Sequence, residues 1–407
     1  MAQAAFRTAS VLRECHEEYA KAESMRRAAV AIGRGDALAH QSHVQWIPWG
    51  ETTEVVGLYD TFETEYAAIR SGAALCDCPQ RGVLEVSGTG RVAFLQRMLT
   101  QDVKRLGRGA TAQAFWLNRK GRIDADLFLC DLGDRMLVDC AFAVAGSAAA
   151  SLMQFAFSDD VQIVDVSETV ARIGVHGPRA LELLSRVGVD APALVEPGRC
   201  AEGSITSTPC SFARRDATGE IGVEVFAPRH GLAELWRALL GARGASDSGR
   251  PLAKPCGWFA FNTARIEAGT PLFEIDFGTS SLPHESSLLA SRVSFTKGCY
   301  LGQEVVARMQ SLGKPKQVVC AFRVAGDALP VDGAAVFVSG TTSDPVGQVT
   351  SSTMSPMLGG TGIGFATVKT AHATAGATLA AAADDGVVTI TVQEGLSAVP
   401  ARSAVQR

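Results

Sequence analysis

Residues 295–308 read FTKGCYLGQEVVAR. Between positions 297 and 304 this stretch sets a cation (Lys297), a thiol (Cys299), an aromatic ring (Tyr300), an amide (Gln303) and a carboxylate (Glu304) beside Gly298 and Gly302. A packed core needs no such mixture. Glycines permit close backbone approach or positive φ, and a cation beside a thiol can draw it toward the reactive thiolate. For a lone Gly-Cys pair the simpler reading is a structural turn, with the cysteine as a small hydrophobe and Gln303 and Glu304 opening a helix.

The whole string is more specific than that. KGCYLGQEVVAR resembles the signature of the YgfZ family, folate-binding proteins related to the aminomethyltransferase (T protein) of the glycine cleavage system. The upstream segment RIEAGTPLFEID, residues 265–276, strengthens the match. A weaker likeness runs from about Trp49 into the C-terminal region.

Composition sets the outer bounds. A chain of 407 residues exceeds one ordinary core and implies two or three domains. With 47% hydrophobic and 20% charged residues and a net charge of -4, neither disorder nor a general nucleic-acid footprint is indicated. The ten cysteines are scattered rather than arranged as a disulfide scaffold, which fits a reducing cytoplasm. No stretch reaches the roughly 20 apolar residues that span a bilayer, so a soluble, cytoplasmic protein is expected.

Local patterns divide the chain. Residues 10–33 form a charged helical pattern carrying Leu12, Cys15, Tyr19 and Met25, and residues 43–50 (HVQWIPWG) suggest a packed loop. Asp60 with Glu63 resembles a capping box before a helix that ends near Gly72. Strands at 82–86, 114–117, 122–130 and 135–140 and helices at 91–100 and 143–155 make a first α+β unit with mostly antiparallel sheet. Strands at 161–166, 171–175, 205–213 and 222–226 and helices at 179–187, 231–240 and 257–268 make a second, whose opening order is similar to that of the first. Residues 246–251 form a polar break. Beyond Lys314, short strands at 318–324, 334–338, 345–352, 362–368 and 387–392, with turn residues between them, predict a small β-barrel or sandwich.

The family resemblance implies an α+β, T-protein-like fold with two α+β units around a central folate channel and a C-terminal β-barrel. The expected divisions are an N-terminal helical extension (1–44), a first unit (45–160), a second unit carrying KGCYLGQE (161–313) and the barrel (314–407).

Individual residues acquire candidate roles from chemistry and from that resemblance together. Asp102 ends an apolar helix, where a carboxylate opposes the helix dipole unless something offsets it. It is either a solvated terminal acid or a group that accepts a proton or holds a cationic amine. The resemblance places it beside the reacting nitrogens of tetrahydrofolate. Glu220 lies in a turn between Gly219 and Gly222, either exposed or pairing with the adjacent N–H donors of a reduced pterin. By resemblance it holds the pterin, although Ala217 stands where the family has an aromatic. Arg265 resembles the family's folate-contacting arginine. Asn118, in LNRKGRIDADL, falls in a hairpin similar to one that lines the folate cavity. Cys76 and Cys78 lack a second pair at metal-ligand spacing and read as core cysteines, so no metal site is expected.

The function this implies is a tetrahydrofolate-binding protein that supports iron-sulfur cluster assembly or repair in client enzymes, including tRNA-modifying ones. In that function Cys299 is the redox-sensitive or transfer-competent thiol and Lys297 its electrostatic neighbour. The implied partners are folate and iron-sulfur client proteins, with no direct nucleic-acid or membrane contact. Two alternatives stay open. One is a folate-dependent aminomethyltransferase or demethylase, favoured by Asp102 and the long N-terminal region and disfavoured by KGCYLGQE. The other is a non-catalytic folate-binding scaffold.

Overall fold

A computed structural model describes residues 10–34, 43–51, 53–244, 251–341, 343–383 and 386–399. The polar break, apart from Pro251, and the end of the chain after position 399 lie outside the described residues. The described residues form two compact units. One comprises Met1–Val83, Asp165–Asp216 and Glu220–Phe261, and the other Leu84–Val164, Ala217–Gly219 and Asn262–Arg407.

The first unit is built on a six-stranded sheet in the order Cys200–Ile205, Thr208–Arg214, Gly222–Pro228, Val170–His176, Ala73–Asp77, Ala253–Pro255. The last pair runs parallel, and the ladders from Cys200–Ile205 across to Ala73–Asp77 are antiparallel. Alternation along the strands sends Leu75, Ile173, Val175, Val223 and Val225 into one apolar cluster with Leu183, Leu184, Leu235, Trp236 and Leu239 of the helices Ala180–Arg186 and Leu232–Gly241. Leu12 and Cys15 join this cluster, which fixes the N-terminal helix Arg13–Arg34 to the unit. His16, on the same helix, is buried and its Nε2 lies 2.9 Å from Asp77 Oδ2.

Two local expectations are corrected here. Residues 43–50 are not a packed loop, because Gln45–Trp49 is a strand paired antiparallel with Thr53–Leu58. The helix Phe62–Ser71 starts without a side-chain cap from Thr61. Instead of an Asp60/Glu63 box, Glu65 reaches back to accept the N–H groups of Tyr59 (2.7 Å) and Asp60 (2.8 Å).

In the second unit, a five-stranded sheet takes the order Thr111–Leu117, Ile123–Asp131, Met136–Ala141, Arg81–Ser87, Gln162–Asp165. Helices Arg91–Met98 and Phe142–Met153 bury Phe94, Leu95, Ala145, Ala148 and Leu152 against Val86, Trp116, Leu127, Leu129 and Val138. The C-terminal part closes as a six-stranded β-barrel: Gln317–Ala325, Thr361–Lys369, Gly347–Ser355, Ala335–Val338, Thr378–Ala383, Gly386–Val392. Pairing of its first strand with its last removes the open edges. Phe322, Val336, Val349, Val368 and Ile390 fill the interior. The α+β class and the terminal barrel therefore stand as expected. No helix among the described residues is long and apolar enough to cross a membrane.

Candidate functional site

The KGCYLGQE motif is a loop in the second unit leading into the helix Gln303–Leu312. Gly302 caps that helix at φ +80°, a conformation that favours glycine. A Cβ on Gly302 would stand 3.0 Å from the carbonyl oxygen of Asn118, and one on Gly121 would stand 2.7 Å from Val305 Cβ. Glycine on both sides thus lets the motif and the 118–121 turn meet backbone to backbone. The turn is held from within, since Asn118 Oδ1 accepts the N–H groups of Lys120 (2.9 Å) and Arg122 (3.2 Å) while its Nδ2 donates to Asp124 (2.9 Å). Asn118 is half-buried, with its polar atoms engaged by its own hairpin.

The ammonium of Lys297, expected to act on the thiol, is engaged by backbone carbonyls. It donates to those of Gln96 (2.7 Å), Leu99 (2.5 Å) and Gln101 (2.9 Å), which matches its three N–H donors. Burial pushes Lys297 down to about 8, and the Asp102 carboxylate opposes that shift. Cys299 is exposed, whereas the other cysteines, Cys76 and Cys78 among them, are buried.

Those carbonyls belong to the end of the helix Arg91–Met98 and the turn after it. The helix stops at Met98, earlier than expected, and Asp102 sits in the turn with its side chain 21% exposed. Gln96 Nε2 donates to Asp102 Oδ1 at 3.1 Å, and Arg105 lies 3.5 Å from Oδ2. The offset that an acid needs at a helix C-terminus is supplied by Lys297, a cation at the negative end of the dipole.

Glu220 belongs to the first unit and is 2% exposed, so it is not an exposed hairpin residue. Its Oε1 lies 3.4 Å from Arg70 Nη1, from the helix Phe62–Ser71. Two residues on, Gly222 opens a strand and pairs with His176, and strand alternation puts Glu224 and His176 on one face of the sheet. His176 is wholly buried, and burial pushes its imidazole below the ordinary value.

Arg265 is wholly buried in the second unit. It forms an ion pair with Asp276, donates to Asn262 Oδ1 (2.8 Å) and Thr270 O (3.3 Å), and reaches Ser351 Oγ in the barrel. Asp276 also accepts from Leu272 N and Thr350 Oγ1, each at 2.8 Å. The guanidinium thus ties the helix Trp258–Glu267 to a barrel strand.

The structure brings the Lys297 ammonium to the turn that carries Asp102 and places the Asn118 turn against the motif's Gly302. Arg265 stands in a separate buried network, and Glu220 is in the other unit. Sequence reasoning did not single out Gln96 or Arg70. Neither carries a local signal, because the contacts of Gln96 with Asp102 and of Arg70 with Glu220 are set by the fold.

Comparison with known proteins bears on this arrangement. The GCVT N-terminal domain matches residues 42–297, and the Glycine cleavage T-protein C-terminal barrel domain matches residues 316–395. The chain is 31% identical over 317 residues to the aminomethyltransferase of Geobacillus kaustophilus, covering 76% of this chain and 83% of that one. It is 28% identical over 311 residues to the aminomethyltransferase of Desulforamulus reducens, covering 75% and 82%. The fold is similar to that of the glycine cleavage system aminomethyltransferase T from Bartonella henselae, with a TM-score of 0.80 over 97% of this chain and 99% of that one, at 21% identity. Two domain matches in the family's order, with a relative at this identity over most of both lengths, establish that the chain belongs to the glycine cleavage T-protein family.

Proposed function

We propose that the chain binds tetrahydrofolate and transfers a one-carbon unit, as an aminomethyltransferase-type enzyme, with Glu220 holding the pterin and Asp102 as the acid-base residue. The observation that carries this is the burial of Glu220, a carboxylate held at 2% exposure in a turn beside glycines. A carboxylate has two oxygens with about four lone-pair sites, so the contact with Arg70 does not preclude accepting N–H donors of a reduced pterin ring. Asp102 is one-fifth exposed, and its Oδ2 faces the exposed Arg105 at 3.5 Å, a contact that water or a cationic amine can replace. The relatives named aminomethyltransferase, matched over three-quarters of the chain, support the same reading. In it, Asn118 and Arg265 shape the surrounding loops, because their polar atoms are engaged by protein groups.

Titrating the protein with tetrahydrofolate tests the first step. Glu220→Gln should weaken binding by about ten- to a hundredfold, the loss expected for one charge-assisted hydrogen bond of about 1.5–3 kcal/mol. Asp102→Asn should keep the affinity and abolish transfer from an aminomethylated carrier protein. A wild-type protein that does not bind tetrahydrofolate refutes the reading.

A second reading rests on Cys299, the one exposed thiol among the described cysteines. It is the YgfZ-type role, support of iron-sulfur cluster assembly or repair in client enzymes, including tRNA-modifying ones. It requires folate binding without aminomethyl transfer. It also requires that cells lacking the protein lose iron-sulfur enzyme activity, restored by wild type and not by Cys299→Ala. Folate binding with neither activity leaves a scaffold.

A further inference from the structure

The segment from Gln96 to Lys104 is held in large part by residues about two hundred positions later in the chain. Lys297 fills the carbonyls of Gln96, Leu99 and Gln101. Thr100 donates from Oγ1 to Arg292 O at 2.6 Å and accepts Ser294 N at 3.0 Å through its carbonyl. Gln101 Nε2 donates to Ser291 O at 3.2 Å, and Leu301 N donates to Arg97 O at 3.3 Å. Within the segment, the Gln96 side chain accepts Val103 N (2.8 Å) and Lys104 N (3.0 Å) and donates to Asp102. Asp102 is thus the partly open carboxylate of a turn whose carbonyls at Leu99, Thr100 and Gln101 are all engaged.

We propose that Lys297 is the positioning residue for Asp102: its ammonium fixes the turn on which the carboxylate stands, and this is what the first residue of KGCYLGQE does. Three features favour it over a purely cohesive role. The ammonium is spent on carbonyls immediately before Asp102 rather than on a remote loop. It is 8% exposed, so the interaction is little screened by solvent. Its charge also lies within electrostatic reach of the Asp102 carboxylate, so one ammonium both fixes the backbone and faces the acid. The inference rests on the reading of Asp102 as the acid-base residue, and its test separates the two.

The experiment compares the full-length wild type, Lys297→Met, Asp102→Asn and the double variant by tetrahydrofolate affinity, by kcat for transfer from an aminomethylated carrier protein, and by amide hydrogen exchange over residues 96–104. Methionine keeps the apolar stem and removes the donors. The expected result is a kcat lower by about a hundredfold, in the range for loss of one acid-base group. Tetrahydrofolate affinity should stay within about threefold, and the double variant should be no slower than Asp102→Asn alone, as residues acting through one another require. Exchange at positions 102–104 should quicken by at least about tenfold, with barrel protection unchanged. Multiplying losses in the double variant, or exchange over 96–104 indistinguishable from wild type, overturns the proposal. Wild type that neither binds tetrahydrofolate nor transfers refutes the functional reading alone, and the exchange result then decides whether Lys297 fixes the turn. If Lys297→Met fails to fold, Lys297→Gln, which retains an N–H pair for the carbonyls, takes its place under the same criteria.

Discussion

Arg265→Met separates a structural arginine from a ligand-binding one. The guanidinium and the Asp276 carboxylate are both without exposure, so removing the cation strands an ion in the protein interior. Breaking one side of such a pair costs about 3–5 kcal/mol. Asp276 keeps the donors Leu272 N, Thr350 Oγ1 and Ser351 Oγ, which place the loss toward the lower end, about 3 kcal/mol. In urea, with a slope of about 1–3 kcal/mol per molar, the midpoint of the transition involving the second unit should fall by about 1–3 M. The assay is urea unfolding followed by circular dichroism, paired with tetrahydrofolate titration well below the transition. Arg265→Met/Asp276→Leu should recover most of the loss, because apolar groups of similar volume can replace a buried pair at little cost. The reasoning is refuted if the single variant lies within about 1 kcal/mol of wild type, the range of a surface pair. It is equally refuted if folate affinity falls tenfold while stability holds, which would return Arg265 to the ligand.

Three further outcomes follow from the geometry. Cys299, exposed where the other cysteines are buried, should take up one equivalent of a thiol probe before any other, and Cys299→Ser should remove that fast phase; labelling spread evenly over several sites would contradict it. Burial pushes the Glu65 carboxyl up from 4.5 to about 7, so the folded state holds its proton more tightly than the unfolded chain does. Its contribution is complete below about pH 4.5 and is lost as pH rises through about 7. Melting temperature measured across that window should decline for wild type and be flatter for Glu65→Gln, and parallel curves would exclude it. Gly302→Ala, which combines φ +80° with a Cβ 3.0 Å from Asn118 O, should destabilise by about 1–3 kcal/mol in thermal or urea melts; a neutral result would mean that the motif and the turn do not meet as described.

Much of the fold is legible in local pattern because strands and amphipathic helices advertise their own periodicity. The barrel strands Gln317–Ala325 and Thr361–Lys369 announce themselves through Val, Phe and Ile alternation. Thr378–Ala383 does not, because an alanine run has low strand propensity and becomes a strand only by pairing with Gly386–Val392 and Ala335–Val338. Ala73–Asp77 is similarly silent, being a buried strand fixed by its neighbours. The candidate site divides the same way. Asp102 and Cys299 stand out by residue type and motif, and the structure leaves both accessible to different degrees. The partners of Lys297 and Arg265 are set by contacts between distant segments, so spacing could assign Lys297 to the adjacent thiol but could not reveal the carbonyls it reaches. Glu220 shows the limit from the other side, since a turn glutamate between glycines reads equally as exposed or as a binding group until packing encloses it.

The parallel pairing of Ala253–Pro255 with Ala73–Asp77 has a consequence for biogenesis. As the nascent polypeptide leaves the ribosome, the earlier strand must wait for its edge partner through nearly the whole intervening synthesis, on the order of 10–35 s at roughly 5–20 residues per second. Translation arrested before position 253 would therefore leave an unprotected strand edge, the kind of surface that trigger-type chaperones shield.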